Sequence, residues 1–176
     1  MDFLKKIAPD LIAVVAFLVI SFCYFAGPVS EGLVLGGHDN TAGVGLNNEM
    51  NAYREATGES SRWTNALFGG MPTYQIAPSY ESSRVLGSFN RIYGLGTTGV
   101  VFYVFAYLLG FYILMRAFNF KVWLSALGAV VWAFSSYFFI IIAAGHIWKV
   151  LTLAFIPPTI AGLVLCYRGR LLWGGT

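Results

Sequence analysis

Few residues in this chain have the type and spacing to do chemistry. His38 and Asp39 follow Gly36-Gly37, and Gly43 comes soon after. A carboxylate in that setting can deprotonate an acceptor hydroxyl or bind a metal ion, and the glycines let backbone approach a bulky ligand. The same pair also fits a plain turn in which Asp39 accepts local backbone hydrogen bonds. His146 and Lys149 are three residues apart, so on a helix they share a face. They read either as a cationic seat for a lipid phosphate or as interfacial snorkelling of Lys149 beside Trp148. Gly94-Leu95-Gly96-Thr97-Thr98-Gly99 spells the dinucleotide fingerprint. No strand precedes it, no acid follows at the right distance and an apolar helix comes next, so it reads as a flexible lead-in to that helix. Cys23 and Cys166 lie in separate apolar runs without metal-ligand spacing and read as small core or lipid-facing residues.

The elements that must hold these residues are membrane spans. Of 176 residues, 57% are hydrophobic and only 11% charged, against about 25% charged in a soluble domain. The net charge of +3 is too small and too dispersed to point to nucleic acid. The expected fold is all-α and integral to the membrane, with four transmembrane helices and one long outer loop containing interfacial helices. The spans are 11–29, 98–115, 122–145 and 150–167. Segment 1–10 leads in, 30–97 is the loop, 116–121 and 146–149 are short connections, and 168–176 closes the chain. Each span is long enough to cross about 30 Å of hydrocarbon. Pro157-Pro158 predicts a kink in the fourth span, tolerated where neighbours satisfy the freed carbonyls. Nothing ionisable lies deep in these spans, which counts against transport. The first span reads as an uncleaved anchor, because Tyr24 and Ala26 before Gly27 make a poor cleavage pair.

Orientation follows from the basic residues. Lys5, Lys6, Arg116, Lys121, Arg168 and Arg170 fall on one side, whereas the other short connection carries only Lys149. Both ends of the chain are therefore expected in the cytoplasm and loop 30–97 outside. That loop is too long for a mere connector. Asn47–Ala56 is a helix candidate, with Met50 and Tyr53 on one face. Residues 62–74 mix aromatics with turn formers, as backbone at a membrane interface does. Ser82–Tyr93 predicts an interfacial helix.

Several stretches in order carry a family resemblance. They are Gly37-His38-Asp39, Trp63-Thr64-Asn65 with Phe68-Gly69-Gly70-Met71-Pro72, the run Ala126–Phe139, Gly145-His146, and Ile156-Pro157-Pro158-Thr159-Ile160-Ala161-Gly162. Over nearly its whole length the chain resembles the N-terminal part of YfhO-family bacterial membrane proteins, in the form found in Bacteroidetes, within the GT-C glycosyltransferase superfamily. The resemblance implies a bacterial inner-membrane enzyme that transfers a sugar from a polyprenyl-phosphate donor to a cell-envelope acceptor on the outer face. It implies that Asp39, beside His38, acts as base or as partner of a divalent metal. Asn40 follows Asp39 where a second acid is common in the superfamily. His146, Lys149, Arg62, Arg84 and Arg91 would offset the donor phosphate's charge, and Trp63, Tyr74 and Tyr80 would contact sugar or acceptor. Superfamily members have more than four helices, so the chain is expected to be a fragment of a longer protein. Two other readings stand beside this one: a non-catalytic membrane scaffold or polymer-export subunit, and a transporter of lipid-linked sugar.

Overall fold

Apolar runs of this length leave the backbone no water to bond, so they coil into helices whose hydrogen bonds are internal. A computed structural model of the chain describes residues 2–33, 36–75 and 82–175, except the side chains of residues 2–4, 40, 75, 82–84 and 173. In chain order it forms α1 (Asp2–Tyr24), α2 (Ala26–Ser30) and α3 (His38–Thr57). A short ladder of β1 (Trp63–Thr64) and β2 (Met71–Pro72) follows, then a 3-10 turn at Thr73–Gln75 and α4 (Ser82–Tyr93). The rest is α5 (Gly99–Ala117), α6 (Val122–Ala133), α7 (Ser136–Ala144), α8 (Ile147–Tyr167) and α9 (Leu171–Gly174). Three helices are long and apolar enough to cross a membrane, and the α6–α7 pair makes a fourth if it counts as one span. The chain is a mostly helical, membrane-embedded protein.

Helix α5 is the hub, packing against α8, α6 and α1. Its stretch Val104–Leu108 is fully buried, as a helix that is apolar all round should be. Rings close the packing around it. Tyr107 stacks on Phe138 with centroids 4.3 Å apart, and Phe111 stacks on Trp132 at 5.0 Å. The opposite faces of the outer helices stay exposed yet apolar: Ile12, Val15 and Val19 on α1, Leu127 and Val131 on α6, Ile156, Ile160 and Leu163 on α8. Such stripes at helical spacing suit lipid rather than water.

The structure corrects three details of the sequence reading. The fold is not wholly α-helical, because within the loop Trp63 pairs with Pro72 and Thr64 with Met71 in an antiparallel ladder. The first helix starts at Asp2 rather than Leu11, so Lys5, Lys6 and Asp10 lie inside it. The third span is not continuous, since α6 and α7 bend by 46° across Phe134-Ser135. Ser135-Ser136 supplies the break: serine pairs are common kink sites, and Ser135 takes the extended backbone of a residue that starts a helix. Pro157 and Pro158 both lie inside α8. Pro158 has no N–H to bond the carbonyl of Ala154 one turn earlier.

That freed carbonyl faces Gly110 of α5. An alanine at Gly110 would put its β-carbon 2.7 Å from the Ala154 oxygen and 3.1 Å from Pro158 Cδ. Small residues let membrane helices approach this closely. Gly110→Ala is therefore expected to cost about 1–3 kcal/mol, read as earlier thermal unfolding in detergent. Gly128→Ala, whose β-carbon would meet nothing nearer than 3.4 Å, should leave the midpoint in place. Equal midpoints for the two variants would show that α5 and α8 do not meet as described.

Consecutive spans run antiparallel, which gives the bundle two ends. At one end Asp10 of α1 receives hydrogen bonds from Tyr112 at 2.6 Å and Arg116 at 2.8 Å, both on α5. Arg168, just past α8, donates to the carbonyl of Ala117 there. The long loop leaves and returns at the other end.

Candidate functional site

The site at the loop-bearing end is built by two glycines. Helix α7 ends at Gly145, whose φ of 87° lies in the left-handed region. The N–H of His146 bonds back to Ile141 and that of Gly145 to Ile142, each at 3.1 Å. This double closure stops α7 abruptly and places His146 immediately before α8. From the other side, Gly37 precedes α3 in extended conformation and lies on Gly145. A β-carbon on Gly37 would fall 2.3 Å from Gly145 Cα and 2.6 Å from its nitrogen. Only glycine permits this contact.

The contact delivers Asp39, in the first turn of α3, to His146. Asp39 Oδ2 lies 2.8 Å from His146 Nδ1, and the two side chains are 50% and 46% exposed. A ligand can therefore reach them. His38 is placed differently: its side chain is 94% exposed, with Nδ1 3.8 Å from Asp39 Oδ1. The turn reading of His38-Asp39 is corrected, because both residues open a helix. An acid in a first helical turn is favoured by the helix dipole, so Asp39 also serves α3 itself. Lys149 stands in the first turn of α8, its ammonium 5.9 Å from the centre of the Tyr137 ring.

No family model, curated protein or solved structure matches the chain.

The assignment of roles thus rests on geometry and on the chemistry of these side chains. Trp63, in β1, is half-exposed and stacks over Gly70, where a β-carbon would meet the indole at 2.7 Å. Its Nε1 donates to Asn65 at 3.3 Å. Tyr74 is exposed in the 3-10 turn, and Arg91 is exposed in the last turn of α4. The backbone carbonyl of Arg62 accepts the N–H of Thr73 at 3.0 Å. Among the described residues no hydrogen bond or ion pair joins Arg62, Arg91 or Trp63 to Asp39 and His146. The side chain of Arg84 and the whole of Tyr80 lie outside the described residues. No three His, Cys, Asp or Glu side chains among the described residues converge as a metal site.

One residue that organises the loop escaped the sequence reading. Glu49 of α3 accepts hydrogen bonds from the Thr64 hydroxyl at 2.5 Å and the Asn65 N–H at 2.8 Å. The Thr64 bond, followed by those from Asn65, holds its carboxyl below the ordinary carboxylate range. Glu49 thus ties the β1–β2 hairpin to the helix that carries Asp39. The signal was Thr64-Asn65 at a strand end, two short polar residues that seek a partner. The pairing of Asp39 with His146 also went unread, although Asp39 directly follows one Gly-His step, Gly37-His38, and His146 belongs to the other, Gly145-His146.

Proposed function

We propose that this chain is part of a GT-C-type, YfhO-like glycosyltransferase of the bacterial cytoplasmic membrane. It would move a sugar from a polyprenyl-phosphate donor to an extracytoplasmic cell-envelope acceptor, with loop 30–97 outside and both ends of the chain in the cytoplasm. The contact between Asp39 and His146 carries the proposal. It sets a carboxylate beside an imidazole at the mouth of membrane helices, where a donor anchored by its lipid must present its phosphate.

The chemistry follows from that placement. The acceptor hydroxyl gives its proton to the Asp39–His146 pair while its oxygen attacks the anomeric carbon. The bond from that carbon to the phosphate oxygen breaks, and the lipid phosphate leaves with the electron pair. Lys149 offsets the charge that develops on it. Asp39 holds the imidazole that receives the proton.

A transporter of lipid-linked sugar is the second reading, and one observation favours it. The third span is broken inside the bundle, and both Tyr107 and Trp132, which pack on Phe138 near the break, carry buried polar atoms without a partner among the described residues. Transporters often build sites at broken helices. Labelled donor in liposomes separates the two. The enzyme reading expects label in the acceptor, whereas transport expects labelled donor in the far leaflet with no product. In cells, a reporter active only outside the cytoplasm should work at Gly58 and be silent at Asn119. The reverse pattern would overturn the orientation.

A further inference from the structure

The end of the bundle away from Asp39 holds a cleft of about 390 Å3, lined by Asp10, Tyr112, Ile113, Arg116, Leu165 and Arg170. Its charges are unevenly matched. Asp10 is taken up by Arg116 and by the Tyr112 hydroxyl. Another N–H of Arg116 goes to the carbonyl of Phe120 at 2.6 Å. Arg170 has no side-chain partner among the described residues, so its positive charge is uncompensated in the cleft.

The local fold keeps Arg170 there. After α8 the chain reverses, with Gly169 at φ 77° and the Arg170 N–H bonded to Leu165 at 2.9 Å. Helix α9 then folds back so closely that a β-carbon on Gly174 would lie 2.5 Å from the Gly162 oxygen. Gly162 is five residues before the end of α8 at Tyr167, about 7 Å along its axis. Helix α9, with Leu171 exposed, is therefore level with the last turns of a membrane-spanning helix and not beyond them. A cleft at that depth meets lipid headgroups above and acyl chains below, and its apolar wall of Ile113 and Leu165 suits the latter.

We propose that this cleft binds an anionic phospholipid, its phosphodiester on Arg170 and the free N–H groups of Arg116, its chain start against Ile113 and Leu165. The proposal needs only the membrane embedding of the bundle and is independent of any transferase activity. Charge complementarity selects an anionic over a zwitterionic headgroup, because the latter brings a cation toward Arg170. The apolar wall selects a lipid over a soluble phosphate.

The test uses the detergent-purified, delipidated protein and follows its thermal midpoint as phosphatidylglycerol, phosphatidylcholine or inorganic phosphate is added. Phosphatidylglycerol should act at a concentration about fivefold to tenfold below phosphatidylcholine, the selectivity of one uncompensated cation at an interface. Arg170→Ala should erase that preference and Arg170→Lys should keep it. Lys121→Ala, which removes another exposed cation outside the cleft lining, should change nothing. Equal action of the two lipids, or a preference that survives Arg170→Ala, would overturn the assignment. A shift of the same size with inorganic phosphate would overturn it as well, by making the ligand a soluble anion.

Discussion

Asp39→Asn is expected to cut sugar transfer by roughly a hundredfold or more while expression and membrane insertion stay as in the parent protein. The side chain lies 2.8 Å from His146 Nδ1 and is half exposed, so its loss empties no core position. Asparagine keeps the shape and can still accept a hydrogen bond, but it brings no charge to steady an imidazolium. His146→Gln should fall by a similar factor. If the two act as one proton-accepting unit, the double variant loses little more than either alone. Factors that multiply would mean two separate jobs and would break the pair apart as a mechanism. Lys149→Ala removes a phosphate contact but no proton acceptor, so it should raise the KM for donor more than it lowers kcat. The measurement is transfer of labelled sugar from a polyprenyl-phosphate donor by the protein in liposomes. Near-normal turnover in Asp39→Asn would leave Asp39 as a helix-opening residue, favoured by the dipole of α3 and nothing more.

How much of this was legible in the sequence depends on the range of the interaction. The membrane helices were readable because lipid forces a long apolar run whatever the tertiary contacts are, and α4 was readable because its amphipathic spacing is local. The start of α3 was not. A Gly-rich segment argues against a helix on propensity, yet His38–Thr57 is helical once Gly37 is pinned on Gly145. The break at Ser135 was masked by apolar composition on both sides. For the site, residue types identified Asp39, His38, His146 and Lys149 as candidates. Spacing along the chain could not say which histidine would meet Asp39, because that depends on a backbone contact between segments far apart in sequence. Charge counting likewise set Arg116 among the basic residues that orient the chain. It could not show that Asp10, at the start of an apolar run, spends that charge inside the bundle.

The backbone contact itself is open to a sharper test. Gly37→Ala adds one methyl group, and at 2.3 Å from Gly145 Cα that group meets backbone, which cannot turn aside as a flexible side chain would. The loop must lift from the α7–α8 junction, and Asp39, two residues on, must lift with it. A displacement on the order of 1 Å is enough to cost roughly a hundredfold in rate, so Gly37→Ala should be about as inactive as Asp39→Asn. Gly36→Ala is the matched control. It makes the same chemical change next door and costs the unfolded chain the same freedom, but its β-carbon meets nothing within 4 Å among the described residues. It should be close to fully active. A second readout makes the test independent of any assumed activity. With Cys23→Ser and Cys166→Ser in place, Asp39→Cys and His146→Cys should be joined by a short bifunctional thiol-alkylating cross-linker. Adding Gly36→Ala should leave the yield unchanged, and adding Gly37→Ala should cut it severalfold. Full cross-linking in the presence of Gly37→Ala would mean that the loop does not seat on Gly145, and the Asp39–His146 pair would lose the contact that positions it.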